Sequence, residues 1–153
     1  MTACRLADEA AAAALGQRLA RALRPGDVIG LSGPLGAGKS VLARAIVRSW
    51  LGAPDLEVPS PTYTLVQHYA PEDPGQPEIW HADLYRLDAP EELLETGLMD
   101  AFDDAVVLIE WPEKAGGLWP GHGMVLRLDL SENGARIAQA AGVWPDRLAG
   151  AFR

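Results

Sequence analysis

One cysteine, Cys4, in 153 residues leaves no partner for an internal disulfide and no thiolate cluster for a metal, a composition suited to a reducing cytoplasm. Apolar runs are short: none approaches the eighteen or so residues a membrane span needs, so no membrane association is expected. The start of the chain has no basic stretch leading into an apolar one, which argues against a secretory signal. Lysine is nearly absent, with Lys39 and Lys114 alone, and Asn133 is the single asparagine. An N-K-x-D element, the usual reader of guanine, is therefore impossible. Positive charge is scarce overall, at 13 basic against 21 acidic side chains for a net charge of −8. The deficit is concentrated beyond residue 53, where six basic side chains face eighteen acidic ones. Such a surface repels nucleic acid over most of its area, so any RNA in the biology is expected to be held by another protein. From Asp88 to Glu113 there are nine carboxylates and neither Lys nor Arg. A solvated face explains that run, and a docking surface for a basic partner is the alternative.

What is present reads as one domain, residues 1–153, with strands interleaved among helices. "DEAAAAALGQRLARAL" predicts a helix capped by Asp8, with Leu15, Leu19 and Leu23 in one stripe, stopped at Arg24-Pro25-Gly26. "DVIGLSG" predicts a short strand, and "KSVLARAIVRSWL" a helix ended by Gly52-Ala53-Pro54. "TYTLVQHY" and "EIWHADLYRL" predict strands, "PEELLETGL" a helix, and "AVVLIE" a buried parallel strand. "WPEKAGGLWPGHG" reads as irregular, "MVLRLDL" and "ARIAQAA" as a late pair of strands, and "PDRLAGAF" as a terminal helix. The expected class is α/β, with a mainly parallel central sheet flanked by helices and late antiparallel strands.

The strand-to-helix junction carries Gly33-Pro34-Leu35-Gly36-Ala37-Gly38-Lys39-Ser40, which fits G-x-x-x-x-G-K-[ST]. Glycines let successive backbone N–H groups turn inward around a phosphate, and the helix that follows aims its positive dipole end at the same anion. Gly33, Gly36, Ala37, Gly38, Lys39, Ser40 and Val41 are thus candidate nucleotide contacts. Lys39 would bridge β- and γ-phosphates, and Ser40 would ligate Mg²⁺. The plain alternative is an ordinary strand-to-helix turn. Such a loop also needs an acid at a neighbouring strand end. Glu110 closes "AVVLIE" and Asp83 ends "EIWHAD", and both are candidates. In "PSPTYT", two prolines fix the backbone around Ser60 and Thr62, and Thr62 is the candidate hydroxyl for sensing the γ-phosphate and metal. His68, His81 and His122 have no metal-ligand spacing and read as structural or surface residues. With guanine excluded, ATP is the expected nucleotide.

"GPLGAGKS", "SPTYTLVQHY", "HADLYRL" and "LIEWPEK" together resemble, in order and spacing, the TsaE (YjeE) family, the bacterial ATPases needed to make threonylcarbamoyladenosine in tRNA. The likeness runs from about residue 8 to the last strands. It implies a small P-loop fold with weak ATPase activity of its own and association with the TsaB–TsaD pair. TsaD transfers the threonylcarbamoyl group to adenosine 37, and ATP hydrolysis resets the complex between turnovers. The tRNA would be met only through that complex. Carried onto this chain, the resemblance implies that Ser40 and Glu110 hold Mg²⁺, with Thr62 in a switch-like loop and Asp83 supporting hydrolysis or metal-bound water. Trp111 falls on the family's Glu-Trp pair, either beside the nucleotide or against a partner. Glu9 and Arg136 fall near positions where the family's termini approach the base. Two departures stand out: Pro34 occupies a place often acidic in the family, and Ser40 a place often Thr. Serine keeps the ligand hydroxyl, whereas Pro34 lacks one N–H donor early in the loop. The rival readings are a small-molecule kinase and a nucleotide-gated binding module without turnover. A kinase usually carries an arginine-rich lid. Arg86 is the single arginine between Arg48 and Arg127.

Overall fold

A computed structural model describes residues 2–153. The first helix, α1 (Glu9–Ala22), starts where expected: Asp8 Oδ1 accepts from the Ala11 N–H at 2.8 Å, satisfying one of the orphan donors of the first turn. Its Leu15 and Leu19 are wholly buried. Strand β2 (Val28–Ser32) runs into the glycine loop, and α2 (Lys39–Leu51) leaves it with the bounds the sequence predicts. The two helices pack closely because Gly16 has no Cβ; one built there would sit 2.7 Å from the Ala45 Cβ. No helix among the described residues is long and apolar enough to cross a membrane.

Among the described residues, β1 (Ala3–Leu6), β2, β3 (Val66–Tyr69), β4 (Ile79–Asp83), β5 (Val106–Glu110), β6 (Met124–Leu130) and β7 (Arg136–Ala141) form one sheet in the order β1-β7-β6-β2-β5-β4-β3. The four central strands, β6-β2-β5-β4, are parallel, and both edges are antiparallel. Side chains alternate across this sheet as its pleat requires. Ile29, Leu31, Val106 and Leu108 join the core under α1 and α2. Val28, Val107 and Ile109 join a second core on the other face, with Leu93, Leu98 and Phe102. Burial on both faces explains why "AVVLIE" is apolar without interruption.

Three segments differ from expectation. "TYTLVQHY" becomes strand only at Val66, because Leu65 takes φ +72° and the preceding residues form a turn. "EIWHADLYRL" is strand only through Asp83. "PEELLETGL" is a 3₁₀ stretch, Pro90–Glu95, followed by a single turn of α-helix, α3 (Leu98–Ala101). Strand β1, whose four residues show no clear apolar alternation, is an addition to the predicted elements. The late strand pair and the short terminal helix α4 (Asp146–Ala149) are present as expected. A bidentate ion pair from Arg147 to the buried Asp27, at 2.6 and 2.7 Å, ties α4 to the loop entering β2.

Candidate functional site

The parallel strands β2, β5 and β4 all end on the same edge of the sheet, where open α/β folds place their ligand crevice. The glycine loop caps β2. Gly33 has φ +141°, and a Cβ there would lie 2.2 Å from the Leu128 carbonyl oxygen, so no larger residue fits. Gly38 has φ +100° and serves as the cap residue entering α2. Lys39 opens the helix, is 5% exposed, and donates from Nζ to the Gly33 and Pro34 carbonyls at 2.6 and 2.8 Å. Its ammonium also lies 4.2 Å from the centre of the Trp111 ring. Burial pushes the Lys39 pKa below the usual lysine value, opposed by the nearby charges of Glu110, Glu113 and Asp83.

Across the cleft stand the two strand-end carboxylates, neighbours in the β4–β5 register. Glu110 is 2% exposed and is held by both oxygens. The Ser40 hydroxyl donates to Oε1 at 2.8 Å, joining residues 70 apart in sequence, and His81 Nε2 lies 2.6 Å from Oε2. Asp83 is buried too, and its partners come from loops. Thr62 donates to Oδ2 at 3.1 Å, Ser60 approaches the same oxygen at 3.5 Å, and the Tyr85 N–H donates to Oδ1 at 3.0 Å. Ser60 and Thr62 hydroxyls lie 2.8 Å apart. The cleft enclosed by Leu35, Gly36, Lys39, Thr62, Asp83 and Glu110 measures about 470 Å³, within the range of small-molecule sites.

The candidate residues fall as follows. Gly36, Gly38, Lys39, Ser40, Val41, Thr62, Asp83, Glu110, Trp111 and Arg136 share the walls of that cleft. Ala37 is buried beneath the loop, and Gly33 lies under it at the Lys39 ammonium. Glu9 is exposed and lines a small side recess with Ala37, Gly38, Val41 and Arg136. Arg136 also donates to the Gly36 carbonyl at 3.1 Å. Trp111 has φ +60° and packs beside Tyr85 as well as over Lys39. His81, read from sequence as structural or surface, is wholly buried against Glu110. The signal that would have found it is a polar pair two apart, His81 and Asp83, on one face of an otherwise apolar strand. Arg86 stacks on the exposed Tyr63, 4.6 Å from its ring centre, and lines the cleft together with Arg136.

The donor set fits magnesium. Ser40 and Glu110 offer hard oxygens, and Mg²⁺ in nucleotide sites takes few protein ligands, drawing the rest from phosphates and water. An open backbone loop with a helix start behind it fits a phosphate chain.

Known proteins resemble this chain over most of its length. The family described as threonylcarbamoyl adenosine biosynthesis protein TsaE matches residues 6–138. The chain belongs to the TsaE family. The protein named tRNA threonylcarbamoyladenosine biosynthesis protein TsaE from Mycobacterium tuberculosis is 41% identical over 133 residues, covering 81% of this chain and 77% of its own. The protein of that name from Rickettsia conorii is 36% identical over 123 residues, covering 80% and 68%. Among solved structures, the crystal structure of Bacillus subtilus YdiB superposes with a TM-score of 0.71 at 24% identity, over 92% of this chain and 85% of that one. That likeness supports the single-domain α/β fold. TsaE membership accounts for the nucleotide-type cleft as well as the four motifs.

Proposed function

We propose that this chain is a Mg²⁺-dependent ATPase with weak turnover of its own, serving the cytoplasmic machinery that makes threonylcarbamoyladenosine in tRNA. In this reading it acts on the TsaB–TsaD pair to support their turnover, does not transfer the group itself, and meets tRNA only through them. The observation that carries the reading is the 2.8 Å contact between Ser40 and Glu110, which brings the glycine loop and a strand-end acid to one cleft. Family membership supports the pathway, and the acidic surface favours a protein partner over direct contact with RNA.

In this reading the residues divide the work between them. Backbone N–H groups of Gly36 to Ser40 surround the phosphates, and Val41, Glu9 and Arg136 border the nucleotide's far end. Lys39, parked on two carbonyls, exchanges them for β- and γ-phosphate oxygens and neutralises their charge. Ser40 and Glu110 would hold Mg²⁺, which would supply positive charge to offset that developing on the phosphates. Thr62 answers the terminal phosphate from its loop, while Asp83 holds that loop and orients the attacking water. Trp111 fixes Lys39 before nucleotide arrives. Arg86 is the single arginine between Arg48 and Arg127, too few for an arginine-rich lid, which disfavours a metabolite kinase.

ATP turnover by the purified chain, alone and with TsaB and TsaD, tests the reading. Slow hydrolysis accelerated by the pair is the expected result. Phosphoryl transfer to a metabolite without any response to the pair would replace it with the kinase reading.

A further inference from the structure

We propose that His81 is the positioning residue for Glu110, fixing its carboxylate so that one oxygen stays presented to Ser40 and to the metal. This inference rests on the Mg²⁺-ATP reading above. His81 is 0% exposed, and its Nε2 lies 2.6 Å from Glu110 Oε2. The other oxygen, Oε1, accepts from the Ser40 hydroxyl at 2.8 Å. The carboxylate is therefore gripped from two elements, β4 on one side and the first turn of α2 on the other. The sheet explains why position 81 is right for this. Asp83 is the register partner of Glu110, and His81 is two residues back on the same face, the diagonal neighbour whose side chain reaches a long residue across the strand pair.

The two ring nitrogens differ in their partners. Nδ1 is buried and has no hydrogen-bond partner among the described residues. Here the ring makes one hydrogen bond, and it goes to Glu110. A carboxylate only accepts, so Nε2 carries the hydrogen of this contact. Glutamate is long and rich in rotamers, and an imidazole ring with two torsions is a stiff anchor for it. Hydrogen bonds behind a ligand of this kind set its orientation, and removing one typically weakens metal binding by about 10–100-fold.

The test uses the full chain with a non-hydrolysable ATP analogue, reading bound Mn²⁺ by electron paramagnetic resonance beside ATP turnover and the thermal midpoint. His81→Leu should lower Mn²⁺ affinity about tenfold or more and lower kcat, with metal-free nucleotide affinity within about twofold of the parent. His81→Gln, whose amide N–H reaches toward the position of Nε2, should recover most of both losses. Wild-type metal affinity in a folded His81→Leu would overturn the proposal, as would a folded His81→Gln as impaired as the leucine variant. A measurement on the unmodified protein needs no variant: imidazole ¹⁵N spectra should show the hydrogen of His81 on Nε2. A hydrogen on Nδ1 alone would overturn the assignment. If the parent protein binds no metal–nucleotide at all, the ATPase reading and this one fall together. If the parent binds it and Glu110→Ala weakens metal while His81→Leu does not, only the role of His81 falls.

Discussion

Glu110 and Asp83 are directly paired across two parallel strands, yet they are held in opposite ways. Glu110 is fixed by regular structure: Ser40 from the first turn of α2 and His81 from within β4. Asp83 is fixed by loops: the hydroxyls of Ser60 and Thr62, and a backbone N–H just past the strand. Two acids of similar burial are thus held by different kinds of structure, one by a strand and a helix, the other by loops. The difference fits the different work proposed for them. A carboxylate clamped by rigid elements suits a metal site, whose oxygens need fixed positions. A carboxylate that gathers a hydroxyl-rich loop suits a switch, since losing its contacts frees the segment.

Changes at the two acids should separate these roles. The largest effect is expected at Glu110. Glu110→Ala should retain nucleotide binding and lower kcat by about a hundredfold, the scale of a lost catalytic group, as steady-state kinetics beside equilibrium binding would show. Asp83→Ala should cost less, about tenfold in turnover, and should make the 60–64 loop cut faster in limited proteolysis. Glu110→Ala should leave that cleavage rate unchanged. Equal loop exposure in both variants would erase the distinction. Thr62→Val deletes one hydroxyl bond to Asp83 and should reduce turnover about fivefold, the scale of one net hydrogen bond.

A smaller effect concerns pH and reaches the cleft from its other wall. Burial holds the Lys39 pKa below 10.5, while bound phosphate would favour the charged form and raise it again. Binding therefore takes up a proton once the pH exceeds the lowered value. ATP affinity should begin to fall below pH 10.5, earlier than for an unburied lysine. An affinity flat up to that point would show that burial does not govern Lys39.

The same two acids show how far the sequence was legible. Glu110 stood out because five apolar residues run straight into a charge, a pattern only a buried strand end explains. The glycine loop and α2 were legible for a similar reason: strand, loop chemistry and helix period all agreed. Asp83 was readable as a strand end, but its pairing with Glu110 depends on register, which no local pattern encodes. The recruitment of Ser60 and Thr62 by Asp83 was hidden for the same reason. The contact between His81 and Glu110 was hidden because one histidine without ligand spacing looks like any core or surface histidine. Leu65 at φ +72° was unreadable as well, since a leucine carries no hint of the left-handed region, and it moved the start of β3. Strand β1 pairs along an edge and buries only Leu6 fully, so its residues needed no alternation.

The central claim is that the cleft joining Lys39, Ser40 and Glu110 is a Mg²⁺-ATP site. Equilibrium binding of ATP in the presence of Mg²⁺, compared between the parent chain and Lys39→Ala, addresses it most directly. The account predicts saturable binding by the parent and a loss of about tenfold or more in the variant, the equivalent of at least one charge-assisted hydrogen bond. Equal affinity in the two proteins would mean that the phosphates do not sit in this loop, and would contradict the account.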